Sequence, residues 1–314
     1  MTAWYFQHLT LIQGMLISIP LTLSVQISLR SGVFSFAGIG FYGIGAYGTG
    51  ILTIRGWPTV PAMLLLIAGS GALAYLISAP LIRLRGLYLG MVTFAFDLIL
   101  TVVATNGGTL TGGALGLPSV PLGVTTGGLL LAAVIVVVLV SQLERRAVGR
   151  SLAGIRVSDE LAISVGIDVR RRKRIVFAVS AALGALAGSL FVSAFSTVSP
   201  QTAGFSLIIT TLSTAVIGGT SSWVGAVIGT VIITWLPTVV SGIGKYQQLV
   251  YGAVLVVVVM FAPEGVLGLL RDGWHALRDA VSRRRAPAVT AEPDRPPPPE
   301  ETMLARDGAE RGAR

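Results

Sequence analysis

Asp97 is the only acidic or basic side chain between Arg85 and Glu144, and it lies inside the apolar run GLYLGMVTFAFDLIL. An acid at bilayer depth costs about 2.5–3.5 kcal/mol on insertion scales, so such residues usually face an interior pathway or a partner. The chemistry open to it is a role in a translocation pathway or its gating, or service as an ion or proton site. Two other readings stand beside this one: an acid at the edge of a span, or a protonated one bonded to the hydroxyl of Thr93 or Thr101. Other reagents are scarce. The two histidines, His8 and His275, are far apart in the topology read below, and neither adjoins paired carboxylates. This disfavours a metal site or a serine triad. With no cysteine, disulfides and thiolate chemistry are excluded. The two lysines, Lys173 and Lys245, both fall outside any G-x-x-x-x-G-K-[ST] phosphate cradle. The chain is therefore read as no enzyme, without catalytic residues, metal or cofactor, and any ATP hydrolysis belongs to a separate subunit.

These residues must be positioned by membrane helices. Mean hydropathy is +0.80, 53% of residues are hydrophobic and only 12% are charged, which places the chain among polytopic all-α membrane proteins. Residues 175–244 carry no Lys, Arg, Asp or Glu at all. Spans of roughly 20 apolar residues are expected near 9–29, 34–54, 60–82, 87–105, 127–143, 175–195, 205–219, 222–240 and 247–263, within a range of about 8–10 helices. The 205–240 stretch reads equally as a tight hairpin or a re-entrant pair. The N-terminus lacks a charged n-region, so the first span is expected to persist in the mature protein.

The net charge of +9 is concentrated beside spans, with nine Lys/Arg against four Asp/Glu between Glu144 and Arg174. That distribution is the positive-inside pattern rather than a nucleic-acid face. It puts Arg30, Arg83, Arg85, the 144–174 loop and the C-terminus in the cytoplasm of a bacterial inner membrane, and residues 106–126 outside. Residues 1–270 are expected to form the membrane domain. Residues 271–285 read as a basic amphipathic segment, and 286–314 as a disordered proline-rich tail.

Two further features invite function. The outer segment NGGTLTGGALGLPSVPLG is too rich in glycine and proline to face lipid as a helix, so it lies in water or lines a cavity. It is a surface loop or a gate beneath a delivered substrate. The cytoplasmic stretch GRSLAGIRVSDELAISVGIDVRRRKR reads as short helices joined by turns. Leu152, Ile155, Leu161, Ala162 and Val165 supply apolar contacts, Arg150, Arg156, Asp159 and Glu160 supply charge, and Gly149, Gly154 and Gly166 punctuate them. Helices this short need a partner surface to order them, which favours a docking element over a plain loop. The steps Gly184-x-x-x-Gly188 and Gly225-x-x-x-Gly229 read as close helix packing or as sliding surfaces.

That cytoplasmic stretch and the helix after it resemble the branched-chain amino acid ABC-importer permeases of the LivM type. The matching positions are Gly149, Arg150, Leu152, Ile155, Arg156, Glu160, Ala162, Gly166 and Ile167, followed by Phe177, Ser180, Ala181, Ala185 and Gly188. GLYLGMVTFAFDLI, LTGGALGLP, VIGGTSSWVGAVIG and FAPEGVLGL are similar to further motifs of that family, through Gly86, Leu87, Tyr88, Thr93 and Leu110 to Gly113 among others. The resemblance covers roughly residues 30 to 270. It implies a permease that works with a second permease, two ABC ATPase subunits and an extracytoplasmic substrate-binding protein, and carries a small solute. It implies ATPase coupling at Gly149, Arg150, Leu152, Ile155, Arg156, Asp159, Glu160, Ala162 and Gly166. A translocation pathway at Tyr88, Thr93, Asp97, Thr111, Gly112 and Gly113 completes the expectation. Val33, Gly38, Asp97 (Glu in the family) and Thr220-Ser221 depart from the pattern, so relatives' other substrates, such as urea or amides, stay open beside branched-chain amino acids. A secondary transporter that uses Asp97 as its ion or proton site is the alternative.

Overall fold

The computed structural model describes residues 2–240, apart from Arg85, Arg146, Ala147, Val148, Arg150, Ala153, Arg156, Val157 and Ser221, and beyond them only Gly252, Gly265 and Gly268. The described residues belong to one compact unit, Met1–Leu270. The expected span 247–263, the basic segment 271–285 and the tail 286–314 lie outside them. Among the described residues the chain is helical, with a single isolated β-bridge.

The helices are α1 (Thr2–Arg30), α2 (Ala37–Ile54), α3 (Thr59–Leu81), α4 (Leu87–Asn106), α5 (Thr126–Arg145), the short α6 (Asp159–Ser164), α7 (Val169–Phe195), α8 (Phe205–Gly218) and α9 (Trp223–Val240). Seven stretches are long and apolar enough to cross a membrane, one of them the composite Pro200–Gly218, and Trp223–Thr238 is a shorter apolar helix. Eight of the nine expected spans thus have a counterpart among the described residues.

Glycine decides which helices form the core. A Cβ at Gly45 would strike the backbone of Ala185, one at Gly184 the carbonyl of Gly38, and one at Gly188 the carbonyl of Tyr42. The α2 and α7 backbones therefore touch, a contact that provides the dispersion energy which apolar area alone cannot supply in lipid. The 184/188 step is a packing seam. Gly218, Gly225 and Gly229 do the same between α8 and α9. Some 67% of the α2 span and 61% of the α1 and α7 spans are buried, against 22% of α3 and α5, so the first three form the centre. The outer helices turn Leu64, Leu76, Ile99, Val102, Leu131 and Leu139 outward.

The 205–240 stretch resolves into a hairpin, α8 and α9 joined by the short connection Gly219–Ser222. At about 1.5 Å per residue, the 14-residue α8 spans about 21 Å, short of a hydrocarbon core of about 30 Å. The crossing is completed by the 3-10 turn Pro200–Ala203, in which Pro200 and Ala203 are buried. Non-helical backbone at such depth is tolerated where protein covers it, as it does at Pro200 and Ala203, while Gln201 and Thr202 are exposed.

Candidate functional site

Asp97 lies at the middle of α4, not at a span edge, and is 1% exposed. The hydroxyls anticipated as its partners are spent elsewhere. Thr93 donates to the carbonyls of Leu89 and Gly90 and accepts from the Phe36 amide at the start of α2, while Thr101 donates to the Asp97 backbone carbonyl. Oδ2 of Asp97 is buried without a hydrogen-bond partner. Asp97 also borders a cavity of about 260 Å³ whose other walls include Gly43, Ile44, Leu66, Leu100 and Thr111. Tyr47, from the glycine-rich α2, also lines this cavity, and its hydroxyl is buried and unpartnered as well. Each orphaned polar group carries a desolvation penalty until it is bonded.

The glycine-rich segment after α4 meets this chamber through Thr111. Leu117 and Val198 exchange amide-to-carbonyl bonds of 2.9 and 3.2 Å, and the Val120 and Gly123 amides donate to Ser196 and Ser193 carbonyls. Leu117, Val120 and Val198 are buried together with Ala46, Tyr47 and Ala104. Gly112 and Gly116 have φ of +73° and +76°, and a Cβ on either would strike neighbouring backbone. The segment is thus seated on α2, α4 and α7 rather than loose on the surface. Of the expected pathway residues, the fold brings Asp97 and Thr111 to the cavity. Thr93 sits one turn below, pinning α4 to α2. Gly112 and Gly113 shape the turn after Thr111, and Tyr88 stands 72% exposed near the start of α4.

A second constellation lies at the end of the bundle marked by Arg30. Arg30 Nη1 is 2.5 Å from Glu144 Oε1, and the same oxygen accepts from the Trp223 amide at 3.1 Å. A carboxylate at the first residue of α9 also meets the positive end of its helix dipole. Gln26 Nε2 donates to the Gly219 carbonyl at 3.1 Å and to that of Ser222. The charged stretch is anchored here. Gly149 is buried against the Glu144 backbone, and Leu152, Ile155 and Ala162 enter a core cluster with Ile27, Val140 and Ala226.

The apolar residues read together as one contact set therefore divide. Leu152, Ile155 and Ala162 point into the bundle, while Leu161 and Val165 are 62% and 76% exposed, joined by Ile163. On α6, Ser158 caps the helix by accepting from the Leu161 amide, and Asp159 pairs with Lys173 at 2.6 Å. Glu160 is exposed, and Gly166 has φ of +80° in the turn that follows. Arg150 and Arg156 lie outside the described residues. Sequence reasoning missed Tyr47, Gly43 and the Arg30–Glu144–Trp223 junction. Tyr47 recurs with Gly40, Gly43 and Ile44 on one helical face, a signal masked by the abundance of glycine.

A bundle of apolar helices around a buried carboxylate, with a charged stretch anchored at one end, is that of a multi-pass membrane transport protein. Residues 9–259 match the family described as branched-chain amino acid transport system / permease component, and the chain belongs to that family. It is similar to the high-affinity branched-chain amino acid transport system permease protein LivM of Escherichia coli K12, at 27% identity over 86% of this chain and 72% of the relative. LivM of Salmonella typhimurium LT2 is 28% identical over 81% of this chain and 68% of its own length. The ribose import permease protein RbsC of Haemophilus influenzae Rd is 32% identical over 37% of this chain and 38% of its own. No solved structure matches the chain with significance.

Proposed function

We propose that this chain is the inner-membrane permease subunit of an ATP-driven importer for branched-chain or related amino acids. It works with a second permease, two ABC ATPase subunits and an extracytoplasmic binding protein. The observation that carries this reading is the two-sided charged stretch. Its inner face is fixed in the helix core through Leu152, Ile155 and Ala162, while Leu161, Ile163 and Val165 stand exposed on a capped helix beside Glu160. A rigidly mounted apolar surface on a charged loop suits a docked motor, because a push on α6 passes into α7, on which it rests, and through Ala162 into the core cluster that Leu152 and Ile155 share with α1, α5 and α9. The family supports the transport role, and the names of the LivM relatives support the substrate class.

The test is made on the reconstituted transporter. Glu160→Lys, Val165→Asp or bulk at Ala162, such as Ala162→Leu, should uncouple ATP hydrolysis from uptake, while membrane insertion survives. The Val165 variant should also lose the ATPase subunits on purification. Normal uptake in all three variants sinks the docking assignment. The second reading, a self-sufficient secondary transporter, is favoured by the burial of Asp97. It requires solute uptake by vesicles holding this chain alone, abolished by Asp97→Asn.

A further inference from the structure

Arg83, Arg170 and Arg171 are exposed, and among the described residues none of them forms an ion pair. The positive-inside pattern accounts for their side of the membrane but not for their grouping. Packing groups them. Helices α3 and α7 run antiparallel: a Cβ on Gly71 would meet Ala178 and Ala182, and further along Arg174 donates to the Tyr75 carbonyl at 3.3 Å and lies over the Tyr75 ring at 4.1 Å. Arg170 and Arg171 precede Arg174 by four and three residues, so they share its helix face, one turn nearer the end of the bundle. Arg83 follows Leu81, the last residue of α3, and comes to the same end. Of the neighbouring acids, Asp168 caps α7 by accepting from the Arg171 amide, Asp159 pairs with Lys173, and Glu160 stands on α6. Cations in the first turn of a helix oppose its dipole, and an anion among them relieves that conflict.

An apolar crevice of about 100 Å³ lies just inside this basic end. Helices α3 and α4 scarcely touch, since each packs on α2. The crevice is walled by Ile77 and Leu81 from the last two turns of α3 and by Val92 and Phe96 of α4. Phe41 and Phe177, both buried, also line it, while Val92 at its edge is 40% exposed. Its one hydroxyl, that of Thr93, is already bonded within α4 and to the Phe36 amide, so the crevice offers nothing to a polar guest. Leu84, Leu87 and Tyr88, which lie in sequence between Arg83 and Val92, are exposed as well.

We infer that this end of the bundle holds an anionic phospholipid of the cytoplasmic leaflet. The headgroup phosphate lies on Arg83, Arg170 and Arg171, and one acyl chain enters the crevice between α3 and α4. Anionic headgroups draw basic segments at the membrane surface, and the lipid that carries them also supplies hydrocarbon at the depth of the crevice. A free phosphate or an acidic peptide would leave the crevice empty, and a lipid without net charge would leave the arginines uncompensated. The site is independent of the solute that the protein carries.

The experiment titrates the full-length protein, purified in detergent, with dioleoylphosphatidylglycerol or dioleoylphosphatidylcholine and reads bound lipid by native mass spectrometry. Phosphatidylglycerol should bind in preference. Arg83→Gln and Arg171→Gln should each weaken its binding about fivefold and leave phosphatidylcholine unchanged; Arg174 is kept, because it fastens α7 to α3. Val92→Trp, which fills the crevice from its exposed edge, should weaken phosphatidylglycerol binding with every arginine in place. Glycerophosphoglycerol, the same headgroup without chains, should fail to displace the lipid. Equal binding of the two lipids, or unchanged phosphatidylglycerol binding in the Arg83→Gln/Arg171→Gln double variant, overturns the headgroup site. Unchanged binding in Val92→Trp, or displacement by glycerophosphoglycerol, overturns the acyl crevice. Loss of a co-purifying subunit from the double variant with lipid retained gives the arginines to a protein partner and also overturns the proposal.

Discussion

Glu144 joins three parts of the chain through one carboxylate: Arg30 of α1, the first amide of α9, and, through its own backbone, the buried Gly149 of the charged stretch. Its side chain is 16% exposed and that of Arg30 is 20%, so the pair lies between a surface bridge and a buried one. Glu144→Gln keeps an acceptor for the Trp223 amide and loses the charge, whereas Glu144→Ala loses both. The expected cost is about 1–3 kcal/mol, larger for Ala than for Gln. Thermal unfolding in detergent would measure it, and equal midpoints for the two variants would remove the amide bond from the account. At this scale Asp97 was legible as a residue to examine because an acid is costly at membrane depth and stands out in an apolar run. Tyr47 was not, because an aromatic hydroxyl in a helix is unremarkable until its neighbours fail to bond it.

Helices in this bundle are sorted by how closely their backbones approach. The seam of α2 on α7 depends on Gly45, Gly184 and Gly188, each set against backbone that cannot move aside. Gly184→Val should force the two central helices apart and abolish accumulation of folded protein. Gly69→Ala on α3, where a Cβ meets nothing within 4 Å, should leave the level unchanged. Size-exclusion profiles of the two variants decide it, and a monodisperse Gly184→Val protein would contradict the seam. Most spans were readable from hydropathy to within a few residues, since length and apolarity are local properties. The α8 crossing was ambiguous for a physical reason: 14 helical residues are too few, and the 3-10 turn that completes the span is seated by the burial of Pro200 and Ala203, which depends on neighbouring helices.

Across the whole molecule, the charge pattern assigns the Arg30 end to the cytoplasm and the Leu115 end to the outside. The absence of cysteine from the sequence makes this directly testable. Leu115, 92% exposed on the 3-10 turn Gly113–Leu115, and Ser164 at the end of α6 are both accessible positions. Leu115→Cys should react with a membrane-impermeant maleimide in intact spheroplasts, and Ser164→Cys only after permeabilisation. The opposite pattern would invert the topology and with it the docking assignment.

Composition and periodicity alone determined that this is an all-α membrane bundle with a charged stretch at one end and a single buried acid, because burial in lipid is written residue by residue in hydropathy. Tertiary structure decided what those features face. It turned Ala162 inward and Val165 outward and set Tyr47 into the same chamber wall as Asp97. It also joined Arg30 to Glu144 across 114 positions of chain. Such pairings depend on which helices lie side by side, and that is settled by glycine contacts and carbonyl acceptors that no single segment contains.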